Sequence, residues 1–567
     1  MSTTVSAVQE KVDACFLVVE AQCVERGLTP PIRLACASDE HLAVRLHGTT
    51  RAWDIRIDCT NTSLGLPRVF LVSPAGLLAH VSYSGVICVS DGQGLSIDVD
   101  RRADIVAYTL LAAYDLLEKS AIDAVSGRGE FFNELEGYWA GMPETLRGRA
   151  AFEPDGKERL ISAYLNARGK RPKWYFADQN QSLPPEFYGE NLATKRALYL
   201  HLDQFPLPPE NPGKVDADFI EAVRIKLSAT QLQLWAQLFG PSKGGPKQIA
   251  LLVTVPRADG GRSLVGMTFT ANRGTIDRSR PIIPLVMRRH TTTYMRERGG
   301  ASLELLEKHF AVLGCGAVGA VVADNLAAAG VGRLTLVDND EFSEDNVFRH
   351  LLAPLWIDAE KVVGLRYTLE RRYPGIKVDA VPWTAQTWLR TAKLDEFDGI
   401  VVAIGAPSVE RAIARGIRMS AVHLPVVVTW LEALDLGGHS VLTWCHQEGC
   451  LDCLYRDDEG QSSLAPRTSF LAPNQHVSRN LTGCASTFVP YGALQARKTG
   501  LMAAEHILAA LYDEPKASYK FWVGDGVAAQ REGLRTTNWW VNAKQTSSDS
   551  PSLRVFGRPC KRCRGTT

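Results

Sequence analysis

The sequence predicts an α/β protein in three parts: a small N-terminal α+β unit, a mixed linker region and a C-terminal doubly wound domain. Three observations carry this. Gly314-Cys315-Gly316-Ala317-Val318-Gly319 lies between an apolar run, Phe310 to Leu313, and a small-residue helix, Val318 to Ala329. From Thr291 onward, buried-strand runs such as "LTLVD", "GIVVAI" and "PVVVTW" alternate with helical stretches, the pattern of a parallel sheet covered on both faces. At the other end of the chain, short alternating strands precede a strongly periodic helix, Ala103 to Ser120.

Residues 1–123 read as one unit. A helix from Val8 to Arg26 is followed by the strands "PIRLACA", "HLAVRLHG", "AWDIRIDC" and "RVFLVS", an antiparallel meander. The irregular loop "HVSYSGVICVSDGQG" then leads to the periodic helix. Residues 124–290 are heterogeneous and read as a linker or bridging region. Here "GEFFNELEGYWAG" and "SATQLQLWAQLF" have helical character, while "SLPPEFYGEN" and "FPLPPENPG" are proline-rich connections. "QIALLVTVPRADGGRSLVGMTFTAN" reads as a hairpin around a DGG turn. Residues 291–567 make the doubly wound domain.

With 567 residues, 45% hydrophobic and 22% charged, the chain is long enough for about three or four domains with real cores. A formal net charge of +1 gives no global field toward nucleic acid or membrane, and neither is expected as a partner. "MSTTVSAVQEKVDACF" lacks a signal-peptide layout, and the longest apolar run, Phe310 to Ala323, is too short to span a bilayer. The expected location is cytoplasmic. Twelve cysteines in that setting point to thiol chemistry or metal rather than disulfides.

The glycine loop fits the G-x-G-x-x-G fingerprint, and "RLTLVD" delivers Asp338 about 20 residues on, where a dinucleotide-binding unit keeps its ribose-binding acid. Alone, that favours NAD. A helix N-terminus, however, accepts any phosphate. The following text, "VDNDEFSEDNVFRHLLAPLWIDAEKV", places Asp338, Asp340, Asn346, Arg349 and Lys361 around one strand end. An arginine and a lysine beyond the phosphate loop suit a triphosphate being cleaved, because negative charge builds on the leaving pyrophosphate. Taken singly, Arg349 and Lys361 also read as solvated helix residues.

Cys450 and Cys453 ("CLDC") with Cys560 and Cys563 ("CKRC") form two closely spaced pairs that suit tetrahedral Zn²⁺; either pair alone also reads as a redox dithiol. Cys484, in "NLTGCASTFVPYG", follows a loop rich in Ser, Pro and Asn and stands ahead of the helix "ALQARKTGLMAAEHILAAL", a setting that lowers a thiol pKa. Cys315 and Cys445 are assigned to structure.

The stretch "GCGAVGAVVADNLAAAGVGRLTLVDNDEFSEDNVFRH" resembles the adenylation domain of ubiquitin-activating (ThiF-type) enzymes, a superfamily that includes the bacterial activators of sulfur carriers. The resemblance runs from about Thr291 to Cys563. It implies a Rossmann-like fold, ATP with Mg²⁺, and a structural Zn²⁺ on the four paired cysteines. Gly314, Gly316 and Gly319 would line the nucleotide loop, Asp338 would hold the ribose with Asp340 beside it, and Asn346, Arg349 and Lys361 would hold the phosphates. It also implies a homodimer in which an arginine reaches into the partner subunit. "TYMRERGG" offers Arg296 and Arg298, and Arg298 is the choice. Cys484 would be the catalytic thiol. One departure stands out: where the family has an aspartate that helps hold Mg²⁺, this chain reads Gly405-Ala406-Pro407.

"LPRVFLVSPAGLLAHVSYSGVICVSDG" resembles the active-site region of ubiquitin-conjugating enzymes, with Gly85-Val86-Ile87-Cys88 as the G-x-[ILV]-C element. The meander and periodic helix occur in the matching order. Eukaryotic conjugating enzymes carry His-Pro-Asn, whose Asn stabilises the oxyanion; this chain has His80-Val81-Ser82, which leaves that donor unassigned and gives His80 a loop-orienting role. An activating domain behind a conjugating domain resembles the fusion proteins of bacterial CBASS anti-phage operons. The implied chemistry is adenylation of a partner's C-terminal carboxylate, a thioester on Cys484, transfer to Cys88 and conjugation to a lysine or other amine. The implied partners are a protein with a flexible C-terminus (a cyclic-nucleotide-making CD-NTase or a ubiquitin-like protein) and an acceptor amine. Two alternatives stay open: a sulfur-carrier activator with an inert N-terminal domain, and an NAD-dependent oxidoreductase.

Overall fold

A computed structural model of the chain describes every residue except 1, 50, 61–64, 74–75, 123–125, 167–171, 179–194, 240–245, 421, 458–459, 482–486, 546–552, 558–559 and 564–567, and the side chains of 2–6, 122 and 126–128. It divides into two compact units, Met1–Thr291 and Thr292–Thr567.

In the first unit, strands Ile32–Leu34, His41–His47, Ala52–Asp58, Val69–Leu71 and Val86–Ile87 form an antiparallel sheet in sequence order. Alternation sorts its faces: Leu42, Val44 and Leu46 point inward with Trp53, Ile55 and Ile57. Two helices, Ser2–Glu25 and Arg102–Ile122, cover that face through Val12, Val19, Val106, Leu110 and Leu117. Buried Trp53 donates its indole N–H to Glu118, which also accepts the Thr49 N–H, so the strand and the second helix are locked by a satisfied polar group.

The mixed linker region contributes a closed sheet. Strand Lys247–Pro256 pairs with Lys195–His201 on one side and with Arg262–Asn272 on the other. The remaining strands, Arg159–Asn166, Lys173–Ala177, Leu146–Ala150 and Ile283–Arg289, complete a ring of seven. All seven send residues to one interior, where Ala150, Ala163, Ala197 and Ala250 make room for Trp174, Phe176 and Tyr199. Gly266 belongs to that interior: a Cβ there would come within 2.6 Å of Leu252 and 3.2 Å of Met287. A second core outside the ring packs four helices around Trp139, whose indole donates to the Gly266 carbonyl.

The second unit holds a seven-stranded sheet. Its order is Lys377–Val381, Arg333–Val337, His309–Leu313, Gly399–Val402, Pro425–Leu431, Gly437–Trp444 and Ser518–Val523; the first five are parallel and Gly437–Trp444 runs antiparallel to both its neighbours. Successive residues of His309–Leu313 feed opposite faces: Phe310 and Val312 pack with helices Ala317–Ala329, Lys361–Arg372 and Ala493–Ala509, Ala311 and Leu313 with Pro407–Arg418. This is a Rossmann-type doubly wound domain. Strand order reverses between His309–Leu313 and Gly399–Val402, so the crevice for a ligand opens past their C-terminal ends.

Candidate nucleotide and thiol sites

The glycine loop fills that crevice, and each glycine has its own reason. Gly314 has φ +87°, and a Cβ there would lie 2.6 Å from the Ala403 carbonyl of the neighbouring strand end. A Cβ on Gly319 would collide with the Gly314 carbonyl at 1.8 Å, so helix Ala317–Ala329 can sit tight against the loop only with glycine there. Gly316 faces open space and stands at the N-cap with no side chain capping the helix, leaving its first N–H groups for a ligand. Gly316, Ala317 and Val318 line a cavity of about 350 Å³ whose other walls include Glu410, Trp430, Tyr455 and Tyr491.

Asp338 ends the strand Arg333–Val337 and turns back on the loop. Its carboxylate accepts the Cys315 N–H at 2.6 Å and the Asp340 N–H at 2.8 Å, while burial pushes its pKa up. Lys361 is 7% exposed and pairs with Asp340 at 2.9 Å. Arg349 lies over the Tyr491 ring, 4.9 Å from its centroid, at the cavity wall. Asn346 spends its carbonyl on the Ser343 N–H of its own turn. The structure therefore gathers Gly314, Gly316, Gly319, Asp338, Asp340 and Lys361, with Arg349 at the edge. Arg298 is exposed on helix Thr292–Gly299, whereas Arg296 is buried and donates to the Gly330 carbonyl.

Two residues outside the sequence reading support the site. His350 donates to the Cys315 carbonyl at 2.8 Å and accepts the Leu352 N–H, which requires a neutral ring; burial lowers its pKa to about 4. Glu410, 3% exposed, accepts the Gly405 N–H at 2.8 Å beside the cavity, and burial raises its pKa to about 7. It stands one helical turn past Gly405-Ala406-Pro407, where no sequence spacing marks it.

The four paired cysteines converge. Their sulfurs all lie within 4.8 Å of one another, with Cys450–Cys453 at 3.9 Å, Cys450–Cys560 at 3.8 Å and Cys453–Cys563 at 3.6 Å. A tetrahedron of thiolates around a metal at about 2.3 Å has edges of about 3.8 Å. Cys315 and Cys445 are buried, and burial raises both thiols. Cys484 lies outside the described residues. It is flanked by the short ladder of Arg479–Asn480 with Thr487–Phe488, and soon after it Val489 and Tyr491 line the cavity beside the glycine loop.

In the first unit Cys88 is the one exposed cysteine among those described. Its N–H donates to the His80 carbonyl at 2.8 Å, and Val81 pairs with Ile87, so His80 and Cys88 face each other across a narrow antiparallel loop. The imidazole of His80 reaches Glu130 at 3.5 Å and Glu134 at 3.8 Å.

Residues 290–538 match the ThiF family. Outside that family description, the chain resembles the ATP-dependent ubiquitin transferase-like protein Cap2. The Pseudomonas aeruginosa protein is 26% identical over 255 residues, 44% of each chain, and the Escherichia coli one is 25% identical over 229 residues, 39% of this chain and 38% of that one. Ubiquitin-like modifier-activating enzyme 5 of Drosophila willistoni is 32% identical over 104 residues, 18% of this chain and 24% of its own. The matches thus span less than half the length of these curated relatives. A crystal structure of E. coli MccB with ATP aligns at 16% identity and TM-score 0.28, covering 40% of this chain and 67% of that one.

Proposed function

We propose that the chain activates the C-terminal carboxylate of a partner protein with ATP and relays it through two thioesters to an amine. The observation that carries this is the glycine loop itself: its uncapped helix N–H groups open on the cavity, Asp338 ties the loop to a strand end braced by the Asp340–Lys361 pair, and Arg349 lies over Tyr491 of the cavity wall. The loop N–H groups hold phosphate. Lys361 and Arg349 offset the charge that grows on departing pyrophosphate as the carboxylate attacks the α-phosphate. Asp338 fixes the loop and takes the ribose. Mg²⁺ accompanying the nucleotide would draw on phosphate oxygens and on Glu410, the carboxyl that lines the cavity, and would neutralise charge there.

Cys484 is the first acceptor. The chain that follows it lines the cavity at Val489 and Tyr491, where an acyl-adenylate would be kept away from water. The acyl group then passes to exposed Cys88 by thiol exchange, and from there to a lysine amine, which splits one hard amide synthesis into easier steps. On this reading residues 1–123 act as the conjugating-like domain, 124–290 as a bridging body and 291–567 as the activating domain, working as a cytoplasmic homodimer. The four-cysteine cluster would hold Zn²⁺ and pin the C-terminal segment to the domain; its sulfur spacing supports that ion. The likeness to Cap2 supports a place in bacterial anti-phage defence with a CD-NTase or ubiquitin-like protein as the activated partner.

The test is ATP–pyrophosphate exchange with the partner present, together with a reductant-sensitive partner adduct on Cys88. Exchange without any adduct on Cys88 would instead favour a sulfur-carrier activator with an inert N-terminal domain.

A further inference from the structure

Cys88 has a neighbour that the relay leaves without a task. His80 stands directly opposite it across the pair, with φ +62°, a backbone region that a non-glycine residue adopts only at a cost in strain. Its ring is partly open, 24% exposed, and both nitrogens point at carboxylates: Nε2 at Glu130, Nδ1 at Glu134. Glu130 also accepts Lys119 Nζ at 3.2 Å, and that pairing, with His80, lowers its pKa despite partial burial. Glu134 is the more exposed of the two, at 44%.

A neutral imidazole has one N–H. Spent on Glu130, it leaves the Nδ1 lone pair facing the Glu134 carboxylate, two electron-rich groups 3.8 Å apart and open to solvent. A cation between them relieves that repulsion, and the cation a conjugating site must receive is the ammonium of the acceptor lysine. We propose that His80 takes the proton from the attacking amine at Cys88, with Glu130 and Glu134 as positioning residues that hold the ring and draw the ammonium in. The inference rests on Cys88 being an acyl acceptor.

The step balances within these groups. The ammonium gives one proton to His80 Nδ1, and the freed nitrogen lone pair attacks the thioester carbonyl. The C–N bond forms, the C–S bond breaks, and its electron pair leaves on Cys88 Sγ. The second amine proton passes to solvent, and the imidazolium returns its proton to the thiolate or to water.

The experiment loads the full-length protein with a short peptide α-thioester ending in glycine, using Cys88→Ala as the blank for other thiols. Discharge from Cys88 to lysine and to hydroxylamine is followed by intact mass. Hydroxylamine is already neutral at pH 7 and needs no base. In His80→Gln and Glu134→Gln the lysine-to-hydroxylamine rate ratio should fall about tenfold or more. An unchanged ratio on loaded protein overturns this inference alone, leaving the relay intact. A Cys88 that takes no acyl group overturns the acceptor role and this inference with it. Should the variants fail to fold, the unaltered protein decides: lysine must discharge faster from Cys88 than from the same peptide on N-acetylcysteine, and equal rates overturn the proposal.

Discussion

At the glycine loop Lys361, Glu410 and His350 are withdrawn from water while Asp340 stays 62% exposed, whereas around Cys88 His80, Glu130 and Glu134 all stay in it. Lys361 is 7% exposed, Glu410 is 3% exposed, and His350 is held neutral beneath the loop. Beside Cys88, His80 and both glutamates keep between a quarter and a half of their side chains open. The proposed function accounts for the difference by what each site would handle. A triphosphate and an acyl-adenylate need fixed donors in a dry crevice, where each charge is worth more and water cannot intrude. A thioester awaiting another protein's amine must remain reachable. Removing a buried group from the first site should therefore lower stability as well as activity without unfolding the domain; at the second site it should disturb chemistry alone.

The metal cluster tests the buried side most severely. Cys453→Ser should strip zinc and cost the second unit several kcal/mol, since a structural Cys₄ site contributes folding free energy directly. Metal analysis and thermal unfolding followed separately for the two units would show it, and zinc-free unaltered protein would refute the assignment. Next come Lys361→Ala and Arg349→Ala, which should slow AMP formation by about 10² to 10³ while the fold survives. Normal ATP–pyrophosphate exchange in both would move the nucleotide site elsewhere.

Glu410 gives a pH signature of similar size. Its folded pKa of about 7 lies above the ordinary carboxyl value, so the folded state holds this proton more tightly than the unfolded one. Its stabilising contribution is complete below the ordinary carboxyl range and fades as pH rises through about 7, by roughly 3 kcal/mol in total. Glu410→Gln should flatten that slope in urea titrations run between pH 4.5 and 7.5. An identical slope in the variant would mean Glu410 is ionised throughout. The smallest stability effect belongs to Cys88→Ser, expected within about 0.5 kcal/mol of the unaltered protein although it replaces the labile thioester with an ester. A larger loss in denaturant titration would mark Cys88 as structural.

The two sites also differed in how far sequence could reveal them. The glycine loop and Asp338 are legible because one strand, one turn and the next strand place them, all within a short stretch. Glu410 was not: it reaches the loop only because strand Gly399–Val402 lies beside His309–Leu313, and its side chain turns back to Gly405. The choice between Arg296 and Arg298 needed burial, which shows Arg296 committed to Gly330. Around Cys88 the motif was readable, but Glu130 and Glu134 come from the following helical segment and have no fixed spacing to it. The closed sheet was hidden for a related reason. Its hairpin was written in the DGG turn, but "KWYFA" is buried on nearly every residue and has no alternation to declare a strand. The pairing that closes the ring also joins distant segments.

The account turns on the order of the two thioesters, and one measurement addresses it most directly. Full-length protein with Cys484→Ala or Cys88→Ala is incubated with ATP and the proteins encoded beside it, then resolved on non-reducing and reducing gels with adducts located by mass spectrometry. The relay predicts that Cys88→Ala accumulates a reductant-sensitive adduct on Cys484, while Cys484→Ala forms AMP-activated partner and leaves Cys88 empty. Loading of Cys88 in the Cys484→Ala protein would contradict it, reducing the relay to a single thioester.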